Sequence, residues 1–142
     1  MKVLVAEDDF LVRMVLEEYL CDLGHDVLAV EDGQAALDML RAGPFDLLLT
    51  DLNMPKMDGF ELLHAVGAEF PTLACIVASG LAHDTVKQEL ARVRARVLGF
   101  APKPAAFVYL GRLLAEAEAK LAGDAAEALA QLPARPGCCE CA

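Results

Sequence analysis

The sequence predicts a single α/β domain built on a parallel sheet with helices on both faces. The main observation is an alternation: five short apolar runs are each followed by a segment whose apolar residues recur at helical spacing. The short connections favour parallel strands joined by covering helices. Residues 47–49 are entirely apolar, which is typical of a central strand buried on both faces. The 142 residues are enough for one domain with a substantial core.

In the first half of the chain, the apolar run at residues 2–6 predicts the first strand. Residues 10–23 place apolar side chains at helical spacing, and Gly24 is a typical residue for ending that helix. A second apolar run at residues 27–30 predicts the second strand. The spacing of alanine, methionine and leucine in residues 35–42 predicts the second helix, which ends near a Gly-Pro pair.

The alternation continues in the second half. Residues 47–50 predict the third strand, and Asp58 with Glu61 forms a capping box that starts a third helix reaching about residue 68. The same signals predict the last four elements: a strand at residues 73–78, a helix at 86–93, a strand at 97–101 and a helix at 107–121.

The end of the chain differs in composition. Asp124 and Glu127 could cap one more short helix. Pro133 and the Pro-Gly pair that follows it then predict a flexible tail. We therefore expect a domain at residues 1–121 and a tail at residues 122–142.

Five cysteines are present. Cys21 falls in a helical pattern and Cys75 in a strand pattern, where small buried thiols are ordinary core residues. The other three, Cys138, Cys139 and Cys141, are too few to complete a tetrahedral zinc site. We interpret them as free thiols of the tail, with redox chemistry or metal capture between two chains as the alternative.

Composition and charge exclude several classes of protein. Twelve basic and 22 acidic residues give a net charge of −10, which argues against direct nucleic-acid binding because duplex affinity depends on neutralising phosphates. No stretch approaches the length of a membrane span, and no basic region precedes the first apolar run. We therefore expect a cytoplasmic protein that does not contact membranes.

Polar residues collect where the predicted strands end. They are Glu7, Asp8, Asp9, Asp51, Asn53, Ser79 and Lys103. In open α/β sheets, ligands bind in the crevice outside the carboxyl ends of the strands. Three or more acids in one crevice repel each other unless a cation neutralises them. Mg²⁺ suits this set because it prefers oxygen ligands and is commonly shared with a phosphate.

The same set of residues predicts phosphoryl transfer with Asp51 as the nucleophile. This chemistry needs an in-line nucleophile and cations around the transferred group. A carboxylate is ionised at neutral pH and needs no general base. Lys103 supplies a positive charge that can pair with an anion or with Asp51, and the Ser79 hydroxyl can donate to the anion.

Four segments, in this order and at this spacing, resemble the receiver domain of two-component response regulators. They are VLVAEDD at residues 3–9, TDLNMPKMDG at 50–59, ASG at 78–80 and KP at 103–104. The resemblance covers residues 1 to about 121. It implies a flavodoxin-like fold with strand order 2-1-3-4-5, and phosphorylation of Asp51 by a histidine kinase or phosphotransfer protein.

The resemblance also implies how Mg²⁺ is bound. Asp8 and Asp51 would be direct ligands, Glu7 would act through water, and Asn53 would use its backbone carbonyl. Enzymatic activity would be limited to self-phosphorylation from small phosphodonors and loss of the phosphoryl group.

For the response to phosphorylation, the resemblance implies that Ser79 is the switch hydroxyl, Lys103 its ion-pair partner and Phe100 the switch aromatic residue. The bond between Lys103 and Pro104 would be cis. Output would pass through the fourth helix, fifth strand and fifth helix to a downstream protein, because no effector domain follows. The same face could support a homodimer. Its candidate residues are Lys87, Leu90, Arg94, Phe100 and Tyr109.

Two stretches depart from the family pattern. Residues 94–99 lack the usual Gly-Ala pair, so the fourth helix and fifth strand could join differently, and Ala105 replaces an aromatic residue. Three alternatives stay open. A phosphatase of the haloacid dehalogenase type would need an acid where Asn53 stands. A flavodoxin would need Ser, Thr and Gly at residues 7–9. A receiver-like interaction module acting without phosphorylation is the third.

Overall fold

A computed structural model describes residues 1–52, 54, 56–79, 83–102 and 106–131, with the backbone alone for residues 79, 83–86, 101–102, 106–110 and 124–131. The strands are β1 (Lys2–Ala6), β2 (Asp26–Val30), β3 (Leu47–Thr50), β4 (Ala74–Ser79) and β5 (Arg96–Pro102). The helices are α1 (Phe10–Asp22), α2 (Gly33–Ala42), α3 (Gly59–Glu69), α4 (His83–Leu90) and α5 (Ala106–Gln131). The predicted alternation of strands and helices is confirmed.

All five strands are parallel and lie in the order β2-β1-β3-β4-β5, which confirms the flavodoxin-like prediction. In the central strand β3, all four residues are buried. Its neighbour β1 is buried from Val3 onwards. Both faces of these strands are covered, so they lack the alternation of polar and apolar residues that half-exposed strands show. The sequence indicated this burial.

Two apolar cores lie on opposite faces of the sheet. On one face, α2 and α3 pack with the sheet through residues that include Leu37, Leu62 and Val66. On the other face, α1 and α5 pack through residues that include Leu20 and Leu114. Full burial of each such leucine contributes roughly 1.5–3 kcal/mol to stability. These two cores fix the sheet rigidly, and so fix the positions of the loops at its carboxyl edge.

Aspartates begin three of the helices. The side chains of Asp9, Asp32 and Asp58 accept hydrogen bonds from backbone N–H groups in the first turns of α1, α2 and α3, respectively. At the other end of α1, Gly24 has φ +91°, a conformation that favours glycine. The predicted end of α1 and the predicted start of α3 are therefore confirmed.

Two predictions for the C-terminal half were wrong. Helix α5 continues without a break to Gln131, so Asp124 and Glu127 do not start a separate helix. The boundary between domain and tail at residue 121 stays a prediction. Alanine and glutamate are strong helix formers, and one glycine at residue 123 costs only about 1 kcal/mol against them. Helix α4 ends at Leu90, so Val93 packs against the core from the loop that follows.

In the stretch without the family's Gly-Ala pair, β5 carries a bulge. Cys75 pairs with Val97, but the next residue, Ile76, pairs with Gly99, so Leu98 is an extra residue in the strand. The predictions for Pro104, Ala105 and the three tail cysteines fall outside the described residues.

The two remaining cysteines differ. Cys75 is buried as predicted, but Cys21 is exposed, so its assignment to the core was wrong. Within the described ranges, no helix is both long and apolar enough to span a membrane.

Candidate functional site

Three carboxylates converge at the carboxyl edge of the sheet, as the sequence predicted. One oxygen from each of Glu7, Asp8 and Asp51 lies within 4.8 Å of the other two. Backbone hydrogen bonds hold them in place: the Asp51 N–H donates to the Ala6 carbonyl at 3.0 Å, and the Glu7 N–H donates to the Val30 carbonyl at 3.0 Å. The ends of β1, β2 and β3 therefore form one rigid edge that carries the acids.

The three acids differ in burial. Glu7 is 1% exposed and Asp51 is 7% exposed, whereas Asp8 is exposed to solvent. One Asp51 oxygen, Oδ1, accepts a hydrogen bond from the Leu52 N–H at 2.7 Å. Two buried like charges beside a third are unfavourable in the absence of a cation. A set of carboxylate oxygens at this spacing fits a small, hard divalent cation such as Mg²⁺.

Asp9 does not join this cluster of three carboxylates, although it stands beside Asp8 in the sequence. Its Oδ1 accepts hydrogen bonds from the N–H groups of Leu11 at 2.9 Å and Val12 at 3.2 Å, which caps α1. Its own N–H donates to Glu7 Oε1 at 3.2 Å. Of the three acids that follow β1, Glu7 and Asp8 therefore belong to the cluster, and Asp9 caps α1.

The loop after Asp51 is held closely against the site. The Gly59 N–H donates to the Leu52 carbonyl at 3.0 Å. A Cβ atom at Gly59 would lie 2.2 Å from the Asp51 carbonyl oxygen and 2.6 Å from Leu52 Cα, so only glycine fits there. The Asp58 cap accepts from the Glu61 N–H at 2.9 Å and starts α3 immediately. The backbone at Gly59 therefore packs directly against the backbone of Asp51 and Leu52.

A second contact fixes the middle of this loop. The Gly33 N–H donates to the Met57 carbonyl at 3.1 Å, and a Cβ at Gly33 would lie 2.4 Å from that oxygen. Lys56 has φ 64°, and its ammonium lies 3.6 Å from Oδ2 of the buried Asp32. The start of α2 is therefore part of the support for Asp51.

The other predicted site residues are described only in part. Ser79 ends β4, where its backbone pairs with Pro102, and its side chain is outside the described part of the chain. Asn53 and Lys103 also fall outside it. Because β4 neighbours β3, Ser79 is at the same sheet edge as Asp51.

Phe100 is half-buried on β5 and packs against the core on the α2–α3 side of the sheet. It lines a cavity of about 540 Å³ together with α4 residues that include Lys87 and Leu90. It also lines a smaller cavity of about 140 Å³ with Arg112 and Leu113 of α5. There is therefore space beside this ring towards both α4 and α5.

Next to the acidic cluster, the first turns of α1 present an exposed apolar patch. Phe10, Leu11, Met14 and Val15 are each between 44% and 64% exposed. They lie on one side of the helix, immediately after the turn that carries Asp8. Large contiguous apolar patches on protein surfaces are commonly sites of contact with other molecules.

Comparison with known protein families matches residues 3–115 to the response regulator receiver domain. The chain belongs to the response regulator receiver family. Receiver domains are the parts of two-component response regulators that act as phosphorylation-dependent switches, and they bind Mg²⁺ at an acidic pocket. In this receiver domain, the acidic cluster consists of Glu7, Asp8 and Asp51 at the carboxyl edge of the sheet.

Relatives of the receiver domain differ in length. This chain is 38% identical to the chemotaxis protein CheY of Pseudomonas aeruginosa over 105 residues, which cover 73% of this chain and 85% of CheY. It is 34% identical to the response regulator protein FleR of the same species over 132 residues, which cover 93% of this chain but only 25% of FleR. The chain therefore corresponds to a small part of some relatives and to most of others.

Solved structures agree with this assignment. Chemotaxis response regulator CheY4 of Vibrio cholerae superimposes with a TM-score of 0.69 at 30% identity, covering 79% of this chain and 97% of CheY4. A response regulator receiver protein from Pseudomonas putida gives a TM-score of 0.74 at 27% identity, covering 81% and 95% of the two chains.

Sequence reasoning missed several residues that support the site. Gly59 and Gly33 are required by close backbone approaches, and Asp32 links α2 to the loop after Asp51. Arg13 contacts the backbone of the acidic turn from α1. The sequence signal for Asp32, Gly33 and Gly59 was an Asp-Gly pair at the start of each of α2 and α3, which indicates a turn without showing what it contacts. No such signal marked Arg13.

Proposed function

We propose that this receiver domain is a signalling switch that accepts a phosphoryl group on Asp51 with the help of Mg²⁺. The observation that carries the proposal is the cluster of Glu7, Asp8 and Asp51 at the carboxyl edge of the sheet. Among these acids, Asp51 is the one at the end of the central strand, and the hydrogen bond from the Leu52 N–H to its Oδ1 fixes its orientation.

In the proposed reaction, an Asp51 carboxylate oxygen attacks phosphorus in line with the leaving group. The donor is a histidine kinase or phosphotransfer protein that carries phosphohistidine. The new oxygen–phosphorus bond forms as the phosphorus–nitrogen bond breaks, and the released imidazole nitrogen takes a proton from solvent. Bound Mg²⁺ would supply positive charge to the phosphoryl oxygens.

The residues that would hold Mg²⁺ are Asp8 and Asp51 directly, Glu7 through water and Asn53 through its backbone carbonyl. The spacing of the three described carboxylates supports the first three assignments. The exposure of Asp8 leaves room for a metal ion and its remaining waters, because Mg²⁺ in proteins usually keeps several of them.

The exposed patch on α1 supports a protein donor rather than only a small molecule. Phe10, Leu11, Met14 and Val15 flank the turn that carries Asp8, so a protein bound to them would lie beside Asp51. An apolar surface of this kind suits a helix with a matching apolar face.

The proposed response uses Ser79, Lys103 and Phe100. A phosphoryl group adds negative charge and acceptor oxygens, which Ser79 and Lys103 would bind. The cavities on either side of Phe100 support a change in its position. The surface formed by α4, β5 and α5 would then favour or release a downstream protein, or a second copy of this chain.

Intact-mass measurement tests the proposal. Wild type, Asp51→Ala and the surface control Asp22→Ala are incubated with Mg²⁺ and acetyl phosphate, then with a chelator in place of Mg²⁺. Wild type and the control should each gain one labile phosphoryl group only with Mg²⁺, and Asp51→Ala should gain none. If wild type remains unmodified while Mg²⁺ binds, the interaction module that acts without phosphorylation becomes the better account.

A further inference from the structure

Arg13 occupies an unexpected position beside the acidic turn. It is half-buried on α1, one turn after the helix begins, and its guanidinium Nη1 donates to the Glu7 carbonyl oxygen at 2.9 Å. The same nitrogen is 3.5 Å from the Asp8 carbonyl oxygen. Both of these contacts are with main-chain oxygens of the acidic turn.

These contacts add to the other hydrogen bonds of the turn. The Glu7 N–H donates to β2, the Asp9 N–H to the Glu7 side chain, and the Arg13 N–H to the Asp9 carbonyl. The Glu7 carbonyl is held by the Arg13 guanidinium. The guanidinium lies 5.5 Å from the centre of the Phe10 ring, and this contact limits the conformations open to Arg13.

The peptide that Arg13 holds is the one that sets the direction of Asp8. Asp8 is the exposed member of the cluster, so packing constrains its carboxylate less than those of Glu7 and Asp51. Mg²⁺ requires near-ideal octahedral geometry, so a small rotation of the peptide between Glu7 and Asp8 would weaken binding. Groups that orient a metal ligand commonly change metal affinity roughly 10–100-fold when they are removed.

We propose that Arg13 is a positioning residue for the metal site: it fixes the Glu7–Asp8 peptide so that the Asp8 carboxylate is held for Mg²⁺. This inference rests on the proposed function. The direction of the expected change in Mg²⁺ affinity distinguishes this role from a purely electrostatic effect. Removing a cation near the cluster would by charge alone strengthen Mg²⁺ binding, whereas removing a positioning contact weakens it.

Isothermal titration calorimetry with Mg²⁺, without any phosphodonor, measures this effect. Arg13→Ala should raise the dissociation constant for Mg²⁺ by roughly 10-fold. Arg13→Lys keeps the charge and can make one of the contacts, so it should recover most of the affinity. Arg112→Ala removes the same charge from an exposed position on α5, where Arg112 pairs with Glu116, and should leave the affinity unchanged.

Phosphorylation by acetyl phosphate over a range of Mg²⁺ concentrations gives a second reading. Arg13→Ala should need more Mg²⁺ for its half-maximal rate, but should reach a maximal rate close to that of wild type. Unfolding by urea in the presence of a chelator should show that all three variants are folded. If Arg13→Ala does not fold, the Mg²⁺ affinities of Arg13→Lys and Arg112→Ala are compared: weaker binding by Arg13→Lys supports the inference, and equal binding refutes it.

Three results would overturn the inference. Equal or tighter Mg²⁺ binding by Arg13→Ala refutes positioning while leaving the proposed function intact. Failure of Arg13→Lys to bind more tightly than Arg13→Ala also refutes it. If wild type itself binds no Mg²⁺, both this inference and the proposed function are wrong.

Discussion

Gly59 offers a direct test of how closely the loop after Asp51 must pack. In Gly59→Ala, the new Cβ would start 2.2 Å from the Asp51 carbonyl oxygen and 2.6 Å from Leu52 Cα, whereas ordinary van der Waals contact begins at 3.4 Å. Both neighbours are backbone atoms, so no side-chain rotation can relieve the contact. Either α3 must move outwards or the peptide after Asp51 must shift.

The expected cost is about 1–3 kcal/mol, the usual range when atoms are added to a packed interior. With a urea m-value of about 1–3 kcal/mol/M, a loss of 2 kcal/mol lowers the midpoint of unfolding by about 1 M. The shift should also slow phosphorylation by acetyl phosphate in the folded protein, since the displaced peptide carries the Asp51 carboxylate.

Gly123→Ala is the matched control. Nothing lies within 4 Å of a Cβ at this position in α5, so the substitution should stabilise the protein by about 0.5–1 kcal/mol and leave phosphorylation unchanged. The reasoning would be refuted if Gly59→Ala matched wild type in both the urea midpoint and the phosphorylation rate.

Three further predictions follow from the described contacts. Hydrogen bonding to Arg41 lowers the pKa of Glu69, so Glu69→Gln should unfold more easily than wild type at neutral pH. In urea titrations, this difference should disappear as the pH falls below the usual glutamate pKa of 4.5 and through the lowered pKa of Glu69. Burial raises the pKa of the Cys75 thiol to about 12, so iodoacetamide should label Cys21 in the folded protein and Cys75 only after unfolding, as peptide mass mapping can show. Leu114→Ala should cost about 2–5 kcal/mol in urea unfolding, because Leu114 is 2% exposed between α5 and the sheet.

The convergence of the acids could be predicted because it depends only on topology. Parallel strands bring their carboxyl ends to one edge, so residues that follow β1 and β3 must meet there whatever the details of packing. Glu7, Asp8 and Asp51 are therefore found where the sequence placed them. Asp9 is different because its carboxylate accepts hydrogen bonds from the first N–H groups of α1, so it caps the helix and does not join the cluster.

Other features depend on contacts that have no local signal. Arg13 lies on a helix, and the tilt of helical side chains towards the N-terminus brings it back to the turn before α1. The prediction that Cys21 is a core residue rested on its place in a helical pattern, but Phe10, Leu11 and Met14 are apolar and exposed, so apolar character does not mark the buried face of α1. The bulge at Leu98 depends on how β5 pairs with β4, which a single sequence does not reveal.

The central claim is that Asp51 is the residue that accepts the phosphoryl group. The most direct measurement is borohydride reduction of the phosphorylated protein followed by peptide mass mapping, because an aspartyl phosphate is reduced to homoserine at the modified position. We predict homoserine at residue 51, formed only when Mg²⁺ was present during phosphorylation. Homoserine at residue 8 or 9 instead, or reduction that is independent of Mg²⁺, would contradict the account.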